Sequence, residues 1–232
     1  MRDCPLSPHS PNMAPQPAAK TPYGQYILTT GEGITGQIEM VWGRFFYESR
    51  FQGKQPVADV GPGRCWFTRQ CPRDIVAIDN APDLVAHYSG SLHITLGSAE
   101  AIPFPDSYFA GIFCCWLFEH LPDPEPAILE FHRVLQPGGL CCIVVPTPAD
   151  MLAFYADYTH IRPFTATSLR QLAAVAGFAR VRTEHLPWTR GLRYVRQAFG
   201  EQASYRYIRL ADRYLRRLGL RNRAHLIMDA WK

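Results

Sequence analysis

Short unbroken apolar runs alternate along the middle of the chain with stretches whose apolar residues recur every three or four positions. Val57–Val60, Ile75–Ile78, Leu92–Leu96, Ile112–Leu117 and Leu140–Val145 are the runs, the pattern of strands buried on both faces. A helical stretch to about Cys71, a helix over Pro82–Tyr88 and another over Pro126–Leu135 are read between them. Ahead of the first run, Ile34, Ile38, Val41, Trp42, Phe45 and Phe46 keep helical spacing, which predicts an amphipathic helix packed on a sheet. Beyond the last, Thr165–Ala176 reads as a capped helix stopped by Gly177, and Val181–Leu186 as a sixth strand. No seventh strand is assigned. Strand and helix alternating through short loops predict an α/β domain: a Rossmann-like open sheet, mostly parallel, with helices on both faces.

The two ends differ from this body. Residues 1–22 carry six prolines and few large apolar groups, too little to offset the entropy of ordering, so a disordered extension is expected there. Of the 24 lysines and arginines, 13 lie from Arg180 onward, against four acids, although the whole chain is only +4. Within that tail, Ile208, Ala211, Leu215 and Leu218 line one side of a basic helix over Ser204–Leu218. A solvated arginine face is the plainer reading, and contact with an anionic membrane surface the sharper one. The expected division is therefore 1–22, a main domain over 23–200, and a basic helical appendage over 201–232. No apolar run reaches the ~20 residues that span a bilayer, and prolines stand where a signal peptide keeps its apolar segment. The seven cysteines include two adjacent pairs inside apolar runs and no C-x-x-C spacing. They fit buried thiols of a cytoplasmic protein better than disulfides or a zinc site; no metal ligand is assigned.

Candidate chemistry gathers where the apolar runs end. Val57-Ala58-Asp59-Val60-Gly61-Pro62-Gly63-Arg64-Cys65 closes a strand on two glycines one residue apart, suited to a close approach of ligand to backbone. A dinucleotide loop needs another glycine at position 66, where Trp66 stands. Asp79 ends the second run sixteen residues beyond Gly63, where a carboxylate can accept from both hydroxyls of a ribose.

Four strings carry a family resemblance. The Asp59–Cys65 loop resembles the D-x-G-x-G-x-G loop of class I S-adenosylmethionine-dependent methyltransferases. Ser98-Ala99-Glu100-Ala101-Ile102-Pro103-Phe104-Pro105-Asp106, Glu119-His120-Leu121-Pro122-Asp123-Pro124 and Arg133-Val134-Leu135-Gln136-Pro137-Gly138-Gly139 follow in order. They are similar to the corresponding segments of the methyltransferase type 11 group, which includes the ubiquinone and menaquinone C-methyltransferases. Together they cover about residues 55–148. The resemblance implies S-adenosyl-L-methionine as cofactor, bound by Asp59, Gly61, Gly63, Asp79, Ser98, Ala99, Glu100 and Trp116, with the helix from Ile34 onward closing over it and Tyr23 and Tyr26 as lid residues. Cys65, Ser98 and Ala110 stand where the group commonly has glycine, an acid and aspartate.

The acceptor this implies is a small molecule, quinone-like, lipid-linked or saccharide. Methyl transfer from a sulfonium rests mainly on alignment; where a base helps, His120, Asp157 and His160 are the candidates. Trp116, Phe154, Tyr155 and Tyr158 are candidates for an apolar wall. A cofactor-binding but non-catalytic partner of another enzyme is the alternative. Nucleic-acid methylation is disfavoured, because Glu119-His120-Leu121-Pro122 occupies the place of an N-P-P-Y-type motif.

Overall fold

The computed structural model describes residues 20–29, 34–70, 73–187 and 189–232; most of the expected proline-rich extension lies outside them. The strands are β1 (Val57–Val60), β2 (Ile75–Asp79), β3 (Ile94–Leu96), β4 (Phe109–Cys115), β5 (Leu135–Pro146), β6 (Arg180–Pro187) and β7 (Arg221–Trp231). They form one sheet in the order β3-β2-β1-β4-β5-β7-β6. Pairing is parallel from β3 through β5 and antiparallel on both sides of β7. All four residues of β1 and all five of β2 are buried, as the unbroken apolar runs require.

The sheet separates two cores because successive side chains point to opposite faces. Ile112, Cys114, Cys141 and Ile143 join the cluster under α4 (Glu125–Val134) and α6 (Ala166–Val175). Phe113, Cys115, Cys142 and Val144 join the other, under α2 (Ile34–Phe46) and α7 (Leu192–Leu210). Each adjacent cysteine pair is thereby split between faces. Its thiols are buried and free, and burial raises their pKa values, in keeping with thiols acting as small hydrophobes. Phe113 is the hub of the α2 side, with Phe46, Phe51, Trp66 and Phe67 rings 4.2–6.0 Å from its own.

Three expectations change. The glycine loop is followed by turns and a short 3₁₀ segment at Thr68–Gln70 instead of a regular helix. Thr68 gives both its N–H and its hydroxyl to the Asp59 carboxylate, at 3.2 and 2.7 Å, which ties the chain back under the sheet before a helical turn can form. The basic tail is not one amphipathic helix either. α7 is kinked at Gly200 (φ 78°), passes into a π-helical turn over Ala211–Leu215, and leaves Leu218 73% exposed while Ile208 is fully buried. Arg216 is drawn to Glu184 and Asp212, and the exposed Arg209 pairs with Glu48. Finally, residues 221–231 are not an appendage. They form β7 between β5 and β6, so the sheet crosses the expected boundary at 201. The strand opens on Arg221-Asn222-Arg223, polar residues that hide it from an apolar-run search.

β7 is anchored by charge as well as by its ladder. Asp229, whose side chain is 2% exposed, accepts from Arg50 at 2.9 Å and Arg182 at 2.8 Å, while Arg50 also donates to Glu184 at 2.7 Å. Removing one member of a buried pair leaves the other desolvated. Asp229→Ala is therefore expected to cost about 3 kcal/mol in urea unfolding, and a loss below ~1 kcal/mol would show that the ladder alone holds β7.

Candidate active site at the carboxyl edge of the sheet

Parallel strands end together, and their carboxyl ends place Asp59, Asp79 and the turn after β4 along one edge. The loop after β1 is held in left-handed backbone at Gly61 (φ 68°), Gly63 (φ 51°) and Cys65 (φ 55°). Cys65 thus keeps the conformation that a glycine adopts without strain, and a buried thiol, not a Cβ-free backbone, sits there. A Cβ on Gly61 would stand 3.1 Å from Leu117, and one on Gly63 would stand 3.3 Å from the Tyr23 hydroxyl. These two approaches mark the cradle.

Asp59 does not reach that cradle. It is 3% exposed and its carboxylate serves Thr68, so it braces the loop from below. Burial pushes its pKa to about 7, against the pull of the two Thr68 hydrogen bonds. Asp79 is the carboxylate that faces the loop. Its Oδ1 accepts from the Ala81 N–H at 2.9 Å. Burial raises its pKa to about 6, while the backbone N–H groups of Ala81, Asn80 and Gly63 act to lower it. At the end of β3, Ser98 and Ala101 close a tight turn in which the Ser98 hydroxyl accepts from the Glu100 N–H at 3.2 Å. Ala99 is buried there and Glu100 exposed.

A short helix, α1 (Pro22–Thr29), lies across this end of the crevice. Thr21 and Gln25 grip Asp83, in the first turn of α3 (Pro82–Tyr88), through hydrogen bonds of 2.8–3.1 Å. Gly24 allows the contact, since a Cβ there would stand 2.1 Å from the Asp83 carboxylate. The Tyr23 ring is half exposed, but its hydroxyl is tucked over Gly63, and burial with Asp79 nearby raises its pKa. Tyr26 points outward, 61% exposed. Arg64 of the loop pairs with Glu39 of α2 at 3.6 Å. Sequence reasoning missed this pair and the Asp83 anchor, since nothing in their spacing signals them.

β4 is followed by Trp116 at φ 55°, a conformation costly for a bulky residue. The reversal lays Leu117 over Gly61 and turns Trp116 away. Its ring is half-buried and packs against Trp66 and His225 at 6.1 and 5.8 Å, beside the core that lies against α2 and α7. The turn Phe118–His120 follows, and the segment after α5 (Met151–Phe154) folds over it. Ile161 N–H donates to the Glu119 carbonyl at 2.8 Å, and Arg162 donates to the Pro122 carbonyl.

That fold brings the three candidate bases together. The Thr159 hydroxyl donates to Asp157 at 2.6 Å and lies 3.0 Å from His120 Nδ1. With its only hydrogen committed, the hydroxyl accepts there, so His120 donates from Nδ1 and keeps a lone pair on Nε2. His160 likewise faces the Phe154 carbonyl through Nδ1 at 2.7 Å, which fixes its tautomer the same way. Burial, then the neighbouring His160, lowers the His120 pKa. Asp157 is held low by Thr159 although its partial burial acts the other way. Glu119 completes the group. It is 1% exposed, both carboxylate oxygens lack a hydrogen-bond partner, and burial raises its pKa to about 8, with Asp157 adding to the rise. The sequence displayed the Glu119-His120 doublet at a strand end, but only the fold shows Glu119 buried without a partner and the His120 ring 4.7 Å from that of His160. Of the expected aromatic wall, Phe154 is buried with its ring 4.6 Å from His160, while Tyr155 and Tyr158 are 61% and 95% exposed and form no part of it.

Because the folded-state pKa of Glu119 lies above its ordinary 4.5, the folded chain holds that proton more tightly. Its contribution to stability is present below about pH 4.5 and is lost as pH rises through about 8. Each tenfold gain in proton affinity on folding corresponds to ~1.4 kcal/mol. Glu119→Gln, unfolded by denaturant in chelator, should therefore match the wild type near pH 5 and exceed its stability by a few kcal/mol above about pH 9. A difference that does not change with pH would show that Glu119 is solvated in solution.

Comparison with known proteins agrees with this geometry. Residues 58–143 match the family described as "Methyltransferase domain". A chloroplastic 2-methyl-6-phytyl-1,4-hydroquinone methyltransferase of Spinacia oleracea is 30% identical over 151 residues, which are 59% of this chain and 44% of that protein. A ubiquinone/menaquinone biosynthesis C-methyltransferase of Serratia proteamaculans is 28% identical over 144 residues, 60% of this chain and 51% of that protein. The chain thus spans about half the length of the curated relatives it matches. Among solved structures, a SAM-dependent methyltransferase from Archaeoglobus fulgidus superposes with a TM-score of 0.67 at 21% identity, over 89% of this chain and all of that one. Over residues 58–143 the chain is thus similar to the methyltransferase domain family, and its fold is that of SAM-dependent methyltransferases of known structure.

Proposed function

We propose that the chain is an S-adenosylmethionine-dependent methyltransferase whose acceptor is a small molecule of the hydroquinone class. The observation that carries the reading is Asp79, a buried carboxylate at the end of β2 set against the left-handed Gly61–Gly63 loop and covered by the Tyr23 hydroxyl. Two vicinal hydroxyls of a ribose suit that carboxylate. The Ser98–Ala101 turn lies one strand further along the edge, where the adenine extends, and its backbone can meet the ring although the Ser98 hydroxyl is engaged. The names of the curated relatives support the acceptor class.

S-adenosylmethionine brings an activated methyl on its sulfonium, and the chain supplies binding and alignment. Holding two reactants at near-attack distance is worth ~7–11 kcal/mol of barrier. α1 and Tyr23 exclude water from the loop. His120 presents Nε2 toward the acceptor side, with its ring fixed through Thr159 and Asp157; the lowered pKa keeps that nitrogen unprotonated and able to take a proton from a phenolic hydroxyl or an acidic ring carbon. A groove of about 530 Å³ lined by Thr147, Phe164, His185, Arg221, Arg223 and Leu226 continues the same edge beyond β5 and offers room for an acceptor's substituent.

The test is transfer of labelled methyl from S-adenosylmethionine to a short-chain 1,4-hydroquinone, with cofactor binding followed by calorimetry. Asp79→Ala should weaken cofactor binding by ~1.5–3 kcal/mol, the worth of hydrogen bonds to a charged group. An unchanged dissociation constant removes the ribose assignment. Tight binding without turnover on any hydroquinone favours the non-catalytic partner instead.

A further inference from the structure

We propose that Glu119, His120 and His160 form a binding site for one divalent cation of the zinc class, with a coordination position left open for water or an oxygen of the acceptor. One donor atom of each residue lies within 4.8 Å of the others. Two atoms bound to one ion at ~2.1 Å stand no more than ~4.2 Å apart, so closing the site takes side-chain movement of under about an ångström. Three protein ligands with an open fourth position is the arrangement of catalytic zinc sites, and two imidazoles with a carboxylate is one of its donor sets.

Two independent features point to an ion. Both Glu119 oxygens are buried without a partner, an arrangement that costs free energy unless something occupies them. Both histidines donate their Nδ1 hydrogens to fixed acceptors, Thr159 and the Phe154 carbonyl, and metal-ligating imidazoles are normally oriented in this way by an acceptor on the other nitrogen. The Thr159 hydroxyl is in turn held by Asp157 at 2.6 Å, so the support extends a further step, as in carboxylate-backed metal histidines. The cluster follows Leu117, which lies over Gly61, so an ion here would stand at the acceptor side of the crevice. There it would polarise a bound hydroxyl and acidify it, replacing proton uptake by His120.

The inference goes beyond methyl transfer, because ion binding is read without cofactor or turnover. The full chain, stripped by chelator, is titrated with Co²⁺ and followed by visible absorption and calorimetry. One Co²⁺ per chain is expected, with the strong d–d bands of a low-coordinate ion, displaced by Zn²⁺. Glu119→Gln and His160→Ala should each weaken binding by more than the ~10–100-fold that loss of a supporting residue causes. Thr159→Val, which keeps every ligand, should fall inside that range. Absence of stoichiometric binding, or wild-type affinity in either Glu119→Gln or His160→Ala, overturns the site. Circular dichroism reports whether each variant folds. Where one does not, the wild type decides: Zn²⁺ must shift the ring resonances of His120 and His160, and unshifted rings overturn the proposal.

Discussion

Three strands adjacent in the sheet, β2, β1 and β4, each bring a carboxylate out of water to the same edge. Asp79 and Asp59 are 3% exposed and Glu119 is 1% exposed, and burial raises their pKa values to about 6, 7 and 8. Desolvating an acid is costly unless hydrogen bonds or charge return the energy, so the surroundings of each decide what it does. Asp59 has Thr68 and is structural. Asp79 has backbone N–H groups on one side and the glycine loop on the other. Glu119 has no hydrogen-bond partner for either carboxylate oxygen, and that deficit is what the proposed ion would relieve.

The rest of the domain keeps this edge in place. Opposed hydrophobic cores fix the sheet from both faces, and the Arg50–Asp229–Arg182 pairing fixes β7 between β5 and β6. With β7 in that place, the carboxyl ends of β5 and β6 and the start of β7 continue the crevice. Two elements frame it: α1 covers the loop where a ribose would sit, and β7 extends the sheet beyond β5.

Much of this was legible in the sequence, for physical reasons that can be named. Strands buried on both faces leave unbroken apolar runs, so β1, β2, β4 and β5 were readable. Asp79 stood out because an acid closing such a run breaks the pattern. β7 was hidden because its first residues are charged and its buried half, Leu226–Ala230, contains Asp229. The missing helix after the glycine loop was also invisible, since it depends on a hydrogen bond from Thr68 back to Asp59 across nine residues. The place of Trp116 was not readable either, since its left-handed backbone, which no local pattern signals, sets its half-buried ring against Trp66 and His225. The meeting of His120 with His160 spans forty residues and is set by the fold of 155–162 over Glu119, which no local pattern encodes.

The central claim is that the ligand lies over the Gly61–Gly63 loop and Asp79, beneath α1. Hydrogen–deuterium exchange with and without S-adenosylmethionine tests it most directly, because the amides on that edge report occupancy one by one. The account predicts slowed exchange at residues 60–68, 79–83 and 97–101 and along α1. Unchanged exchange there, or protection confined to the groove around Thr147, His185 and Arg223, would contradict it.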